Sequence, residues 1–183
     1  HAYIEAAQSL RAAHGLRPDD IARIGIAGGV AQRMLCEPVG QKRRPRTLID
    51  AKFSLPFTVA AALVHDEVTL ASFTAASLAD ESLLSLAARS EWQPRADWGR
   101  DRAAAGELDL TLRDGRVLHA AIPQALGHPT RPLGDEQLRA KFRDCARHAL
   151  RPLPTASIEC LIADIAGFEH CRDAGAALRC EAD

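Results

Sequence analysis

The sequence predicts an α+β domain of two layers, a mostly antiparallel sheet with helices packed on one side. Three observations predict it. Residues 2–14 carry apolar side chains at helical spacing, and the last third of the chain returns to that spacing. Leu108, Leu110 and Leu112 alternate with polar residues and run into Asp114-Gly115, the mark of a strand entering a tight hairpin. The order along the chain is helix, strand, helices, strand, hairpin, helices, which suits an α+β arrangement.

In the first helix, Tyr3, Ala6, Ala7, Leu10 and Ala13 share a face and Gly15 supplies the stop. Pro18-Asp19-Asp20 makes a turn, and IARIGIAGG at 21–29 reads as a strand ended by its two glycines. A loop with Pro38, Gly40 and Pro45 leads to DAKFSLPFTVAAAL at 50–63, whose apolar run predicts a buried helix. A short helix near 72–78 follows. Another spans 80–89, with Asp80 as N-cap and Leu83, Leu84, Leu86 and Ala87 on its buried side. EWQPR at 91–95 joins the same sheet, with Pro94 marking an edge. In the hairpin, two positive-φ positions at Asp114-Gly115 set Leu112 opposite Val117 and Leu110 opposite His119, a sheet-face histidine. Asp135 caps a helix bearing Leu138, Phe142 and Cys145 or Ala146, and 155–168 carries Ile158, Leu161, Ile162 and Ile165.

A chain of 183 residues, 47% apolar and 26% charged, is long enough for one compact domain with a real core. Its net charge of −1 argues against nucleic acid or an anionic membrane as partner. The basic cluster QKRRPR at 41–46 reads as a solvated loop. No apolar run is long enough to span a bilayer and no signal-peptide pattern opens the chain. Five cysteines (Cys36, Cys145, Cys160, Cys171 and Cys180), odd in number and without a CxxC pair, predict free thiols in a reducing cytoplasm. His170-Cys171 hints at metal, but the spacings fit no zinc framework, so none is expected. The chain starts without Met inside an amphipathic pattern, as a piece of something longer would.

Reactive groups concentrate at three breaks in regular structure. Ser54 can cap the apolar helix by accepting from the N–H of Phe57, and Pro56 fits the first turn, where its missing donor costs nothing. Lys52 then stands just before a helix N-terminus, where a cation does not complement the dipole but suits an anionic ligand such as a carboxylate. The plain alternative is a surface lysine partnered by Asp50. GHPTRPLGDEQLRAKF at 127–142 presents His128, held extended by the following proline, and Arg131 on a stiff loop. His1 opens the first amphipathic helix.

HAYIEAAQSLRAAHGLRPDDI, then EPVGQKRRPRTLIDAKFSLPFTVAAAL with VTLASFT, then GHPTRPLGDEQLRAKFRD, occur in this order and resemble the C-terminal portion of the MmgE/PrpD family. That family includes 2-methylcitrate dehydratase of propionate catabolism, cis-aconitate decarboxylase and iminodisuccinate epimerase. The resemblance runs from His1 to about residue 165, with DAKFSLPF its specific part, and assigns the chain, 1–183, to the family's small α+β domain. It implies a dimeric, two-domain enzyme whose larger N-terminal domain, all helical, is absent from this chain. The active site lies between the domains, works without metal or organic cofactor, and holds a small polycarboxylate with basic side chains. The principal catalytic Asp and His residues belong to the helical domain.

Supporting positions fall to this chain. His1 matches a histidine bordering the cleft, and Lys52 and Ser54 fall in the AKFS motif, whose loop faces substrate. Phe57 matches a position that is often tyrosine in relatives and a proposed acid in some. His128 and Arg131 match the loop before the KF helix. Six substrate-binding candidates result: His1, Lys52, Ser54, Phe57, His128 and Arg131. The resemblance implies a dehydratase-type lyase acting by general acid–base elimination and inactive without the helical domain. An epimerase or decarboxylase of the same family is a second reading, because each chemistry begins by stabilising charge beside a carboxylate. A third reading is a non-catalytic assembly module.

Overall fold

The structure, a computed structural model, describes residues 1–170 and Gly175. Cys171 and Cys180 lie outside the described residues. The chain divides into two compact units, His1–Pro132 and Leu133–Asp183.

The first unit runs α1 (Ala2–His14), β1 (Ile21–Gly28), α2 (Val30–Arg33), α3 (Val39–Arg43), α4 (Leu48–Lys52), α5 (Leu55–Val64), α6 (Ala75–Leu78), α7 (Glu81–Ala87), β2 (Ser90–Pro94), β3 (Gly106–Leu112) and β4 (Val117–Ile122). It is α+β, with four strands in the order β2-β1-β3-β4. The β1–β3 and β3–β4 ladders are antiparallel, whereas β1–β2 is parallel, with Ile24 beside Ser90 and Gly28 beside Pro94. The sheet is therefore mixed. Helices α2 to α7 form the crossover that a parallel neighbour needs, returning the chain to run β2 in the direction of β1. Pro94 sits on an edge strand, as expected.

One face of the sheet is apolar. Ile24, Ile26, Leu108, Leu110 and Leu112 join Tyr3, Ala6, Ala7 and Leu10 of α1, most of α5, and Leu83, Leu84, Leu86 and Ala87 of α7 in a single core. The other face is polar, with the ion pairs Arg23–Glu91 at 3.2 Å and Arg95 with Glu107, and a hydrogen bond between His119 and Asp109 at 2.7 Å. Exposed pairs of this kind contribute little to stability.

The hairpin register differs from expectation by one residue. Thr111 pairs with Val117, Leu110 with Leu118 and Asp109 with His119. Only Gly115 takes a positive φ, 90°. The Leu112 N–H donates to the Arg116 carbonyl at 2.8 Å, closing a three-residue loop instead of the two-residue turn. The pattern of apolar residues requires this. The slipped register would put His119 on the leucine face, while the observed one puts Leu118, Ala120 and Ile122 there. His119 is a sheet-face residue on the polar side.

Other elements follow the local chemistry. Gly15 closes α1 at φ 59°, donating its N–H to the Arg11 carbonyl. Asp80 caps α7, its Oδ1 accepting from the N–H groups of Ser82 and Leu83 at 2.9 and 3.3 Å. The expected loop between β1 and residue 50 contains three short helices, and the helix expected at 72–78 resolves into a 3-10 turn at Leu70–Ser72 followed by α6. The basic cluster is not simply solvated. Lys42 donates to the Phe53 carbonyl at 2.6 Å, Arg43 to the Ser90 carbonyl at 3.0 Å, and Arg44 pairs with Glu81.

The second unit holds α8 (Asp135–Arg147) and α9 (Thr155–Ala166). Gly134, not Asp135, takes the cap position of α8 and donates its N–H to Gln137 at 3.0 Å. Asp135 and Glu136 instead fill the first turn, where acids complement the dipole. Arg143 forks onto Glu159 at 2.7 and 2.9 Å, tying the two helices together.

Candidate functional site

The turn between α4 and α5 is built from capping bonds. Thr47 caps α4 by accepting from the Asp50 N–H at 3.1 Å, and its hydroxyl donates to the Asp50 carboxylate at 2.8 Å. Asp50 is thereby committed to Thr47 and is not the partner of Lys52. Ser54 caps α5, accepting from the Phe57 N–H at 3.1 Å while its own hydroxyl donates to the Lys42 carbonyl. The Leu55 N–H donates to the Leu35 carbonyl at 2.9 Å, pinning the helix start to the segment after α2.

These bonds place the sequence candidates at different depths. Lys52 ends α4 and is exposed, with Nζ 5.8 Å from the centre of the Phe73 ring. Phe73 in turn lies 6.3 Å from Phe57, centroid to centroid. Phe57 is 0% exposed and Ser54 1%, so both sit beneath the surface at which Lys52 stands. The Lys52 side chain makes no hydrogen bond or ion pair among the described residues. Its ammonium is the part of this turn open to an anion.

The remaining candidates gather at the start of α1. His1 takes the N-cap position and is exposed, with no capping bond from its side chain. One turn along, both oxygens of Glu5 are occupied by the loop that follows β4. Oε1 accepts from Arg131 at 2.6 Å and Oε2 from the Leu126 N–H at 3.0 Å. Burial pushes the Glu5 carboxyl up, but these bonds and the charge of Arg131 outweigh it and hold the group below the ordinary glutamate range. Arg131 also donates to the Gln124 carbonyl. His128 and Arg131 form an isolated bridge, with the Arg131 N–H donating to the His128 carbonyl at 2.7 Å and the Gly127 N–H to the Arg131 carbonyl at 2.8 Å. The Thr130 N–H lies 3.2 Å from His128 Nδ1. The Thr130 hydroxyl lies 3.0 Å from the same nitrogen and donates its own proton to Gln124 Oε1, so Nδ1 can accept from the Thr130 N–H in one tautomer and donate to the Thr130 oxygen in the other.

Both groups lie toward the C-terminal end of β1. Tyr3 donates its hydroxyl to the Ala27 carbonyl at 2.6 Å, Ala2 and Tyr3 abut Gly106 at the start of β3, and Leu35 follows β1 through α2. Beside them, buried Gln32 accepts from the Gly29 N–H at 3.0 Å and donates to the carbonyls of Arg102 and Ala103 at 2.8 and 3.1 Å. Gly29 leaves no room for a side chain, since a Cβ there would come within 2.4 Å of the Trp98 carbonyl oxygen.

Three residues that organise this end escaped the sequence reading. They are Glu5, Phe73 and Gln32, none of which any local motif singles out. Only the pairing of distant segments reveals them. Cys36 is buried, its thiol pushed up to about 12 by burial and by Glu37, with Lys42 opposing. Among the described residues no group of three or more His, Cys, Asp or Glu side chains could hold a metal ion, and no helix is long and apolar enough to cross a membrane.

A family model described as the MmgE/PrpD C-terminal domain matches residues 1–163. That match covers the whole first unit and runs into α9. No curated protein matches the chain.

Proposed function

The chain belongs to the MmgE/PrpD family as its C-terminal domain, and from that premise we propose that it is the smaller part of a 2-methylcitrate dehydratase-like lyase. The substrate is a small polycarboxylate and the reaction a general acid–base elimination. A base from a helical partner domain removes a proton beside a carboxylate, and an acid assists departure of the hydroxyl as water. Lys52 contributes a cation for a substrate carboxylate, lowering the cost of negative charge that builds there as the proton leaves. His1 and His128 border the cleft. Ser54 and Phe57 act from beneath, fixing the turn that carries Lys52. The working protein is a cytoplasmic homodimer of two-domain subunits.

The observation that carries this reading is an exposed ammonium at the AKFS turn with no ionic partner among the described residues. Phe57, a phenyl ring buried in the core, cannot serve as the proton donor that a tyrosine provides, so the acid of the elimination comes from another group. The test is turnover of a panel of tricarboxylates by the chain alone and by the chain joined to its helical domain. The chain alone is expected to be silent, and measurable turnover by it would overturn the two-domain reading. In the joined protein, Lys52→Ala is expected to lower kcat/KM about 30- to 150-fold, the ~2–3 kcal/mol of a hydrogen bond to a charged group. Unfolding should be unchanged. Wild-type kinetics in that variant would remove Lys52 from the site. A joined protein inert toward the whole panel would leave the assembly-module reading in its place.

A further inference from the structure

Arg131 carries the features of a strut instead of a ligand. Its guanidinium reaches both Glu5 and the Gln124 carbonyl, and its backbone N–H and carbonyl close the loop on His128 and Gly127. Glu5 uses its second oxygen on the Leu126 N–H of the same loop. The loop is thus fastened to the first turn of α1 at two points, while the ring of His128 is fixed through Nδ1 by Thr130. In the tautomer whose Nδ1 accepts from the Thr130 N–H, the open edge of the ring is Nε2–H, a donor.

We propose that Glu5 and Arg131 are positioning residues that hold the 124–131 loop so that His128 offers Nε2–H to a carboxylate of the substrate, and that Arg131 does not itself meet the substrate. This rests on the polycarboxylate reading above. An imidazole N–H donor to a carboxylate serves it equally before and during the proton abstraction, so its loss appears in KM and not in kcat.

The test uses Glu5→Gln. The amide keeps the shape of the side chain but has one acceptor oxygen where the carboxylate has two, and both are in use. One of the two fastenings must therefore break without a change in packing. In the joined two-domain protein, Glu5→Gln, Arg131→Ala and His128→Ala are each expected to raise KM about tenfold with kcat within about twofold. Neither Glu5→Gln nor Arg131→Ala should raise KM further in the His128→Ala background. Additive losses in that background would show that Arg131 meets substrate directly or acts elsewhere, and would overturn the proposal. A second readout needs no turnover. In the 183-residue chain, Glu5→Gln should speed hydrogen exchange in the loop, at the Leu126 amide where that bond breaks or at the Gly127 and Arg131 amides where the Arg131 bond breaks, and unchanged rates at all three would overturn the clamp itself. If the wild-type joined protein turns over no tricarboxylate while loop exchange responds, the polycarboxylate reading fails and the carboxylate role of His128 falls with it, but the clamp stands.

Discussion

Replacing Ser54 with alanine separates a structural hydroxyl from one that serves a ligand. In the structure this hydroxyl has two bonds, accepting from the Phe57 N–H and donating to the Lys42 carbonyl. Losing the cap costs about 1 kcal/mol. The Lys42 carbonyl, half-buried, loses its donor as well, at about 1–2 kcal/mol. The sum is about 2–3 kcal/mol, which lowers Tm by about 5–10 °C for a unit of this size. Trp92 and Trp98, the two tryptophans of the chain, both lie in the first unit, so urea unfolding followed by tryptophan fluorescence reports that unit directly. A loss below about 0.5 kcal/mol, the range of ordinary surface substitutions, would refute the reasoning. It would mean that the hydroxyl is not spent on the fold and is free for a ligand.

Two further predictions concern ionisation. Glu5 has a folded pKa below its usual value, so it contributes stability that is present above the unfolded pKa and lost as pH falls through the folded one. The urea midpoint of the wild-type chain should therefore drop more steeply than that of Glu5→Gln below about pH 4.5, and parallel curves would remove Glu5 as a source of acid sensitivity. Thiol labelling at neutral pH should modify exposed Cys145 and Cys160 quickly and leave buried Cys36 unmodified until unfolding. Prompt native labelling of Cys36, read by peptide mass, would contradict its burial.

The parts of the fold that were legible in the sequence are those set by neighbours along the chain. Gly15, Asp80 and Ser54 cap their helices through backbone groups two to four residues away, α7 buries the face its spacing predicts, and α1 does so except at Ala13, which is exposed. What was not legible depends on distant segments. Whether β2 runs parallel or antiparallel to β1 is decided by the path of the helices between them, which no local pattern encodes. The hairpin register failed at one residue because Asp114-Gly115 suits both a two-residue turn and a three-residue loop, and only the leucine face chooses.

The candidate site divides in the same way. The cap of Ser54 follows from its place before Leu55-Pro56, and the structure reproduces it to the hydrogen bond. The supposed Asp50–Lys52 pair failed because Thr47, three residues before Asp50, competes for that carboxylate. Arg131 looked like a free cation in a loop. Its partner Glu5 lies 126 residues away, a separation no spacing argument can bridge.

Helix α5 has a consequence for how such a protein could acquire a new reaction. Nine consecutive residues, Leu55–Leu63, are buried, so the helix has no wet stripe and cannot roll without lifting apolar surface into solvent. It is a fixed strut with the AKFS turn mounted on its end. Variation along the strut registers as failure to fold, whereas variation at its tip, where Lys52 and Phe53 are exposed, leaves the strut intact. A library selected for a changed substrate should therefore keep residues 55–63 nearly silent and collect its gains at the few positions that the strut holds out to water.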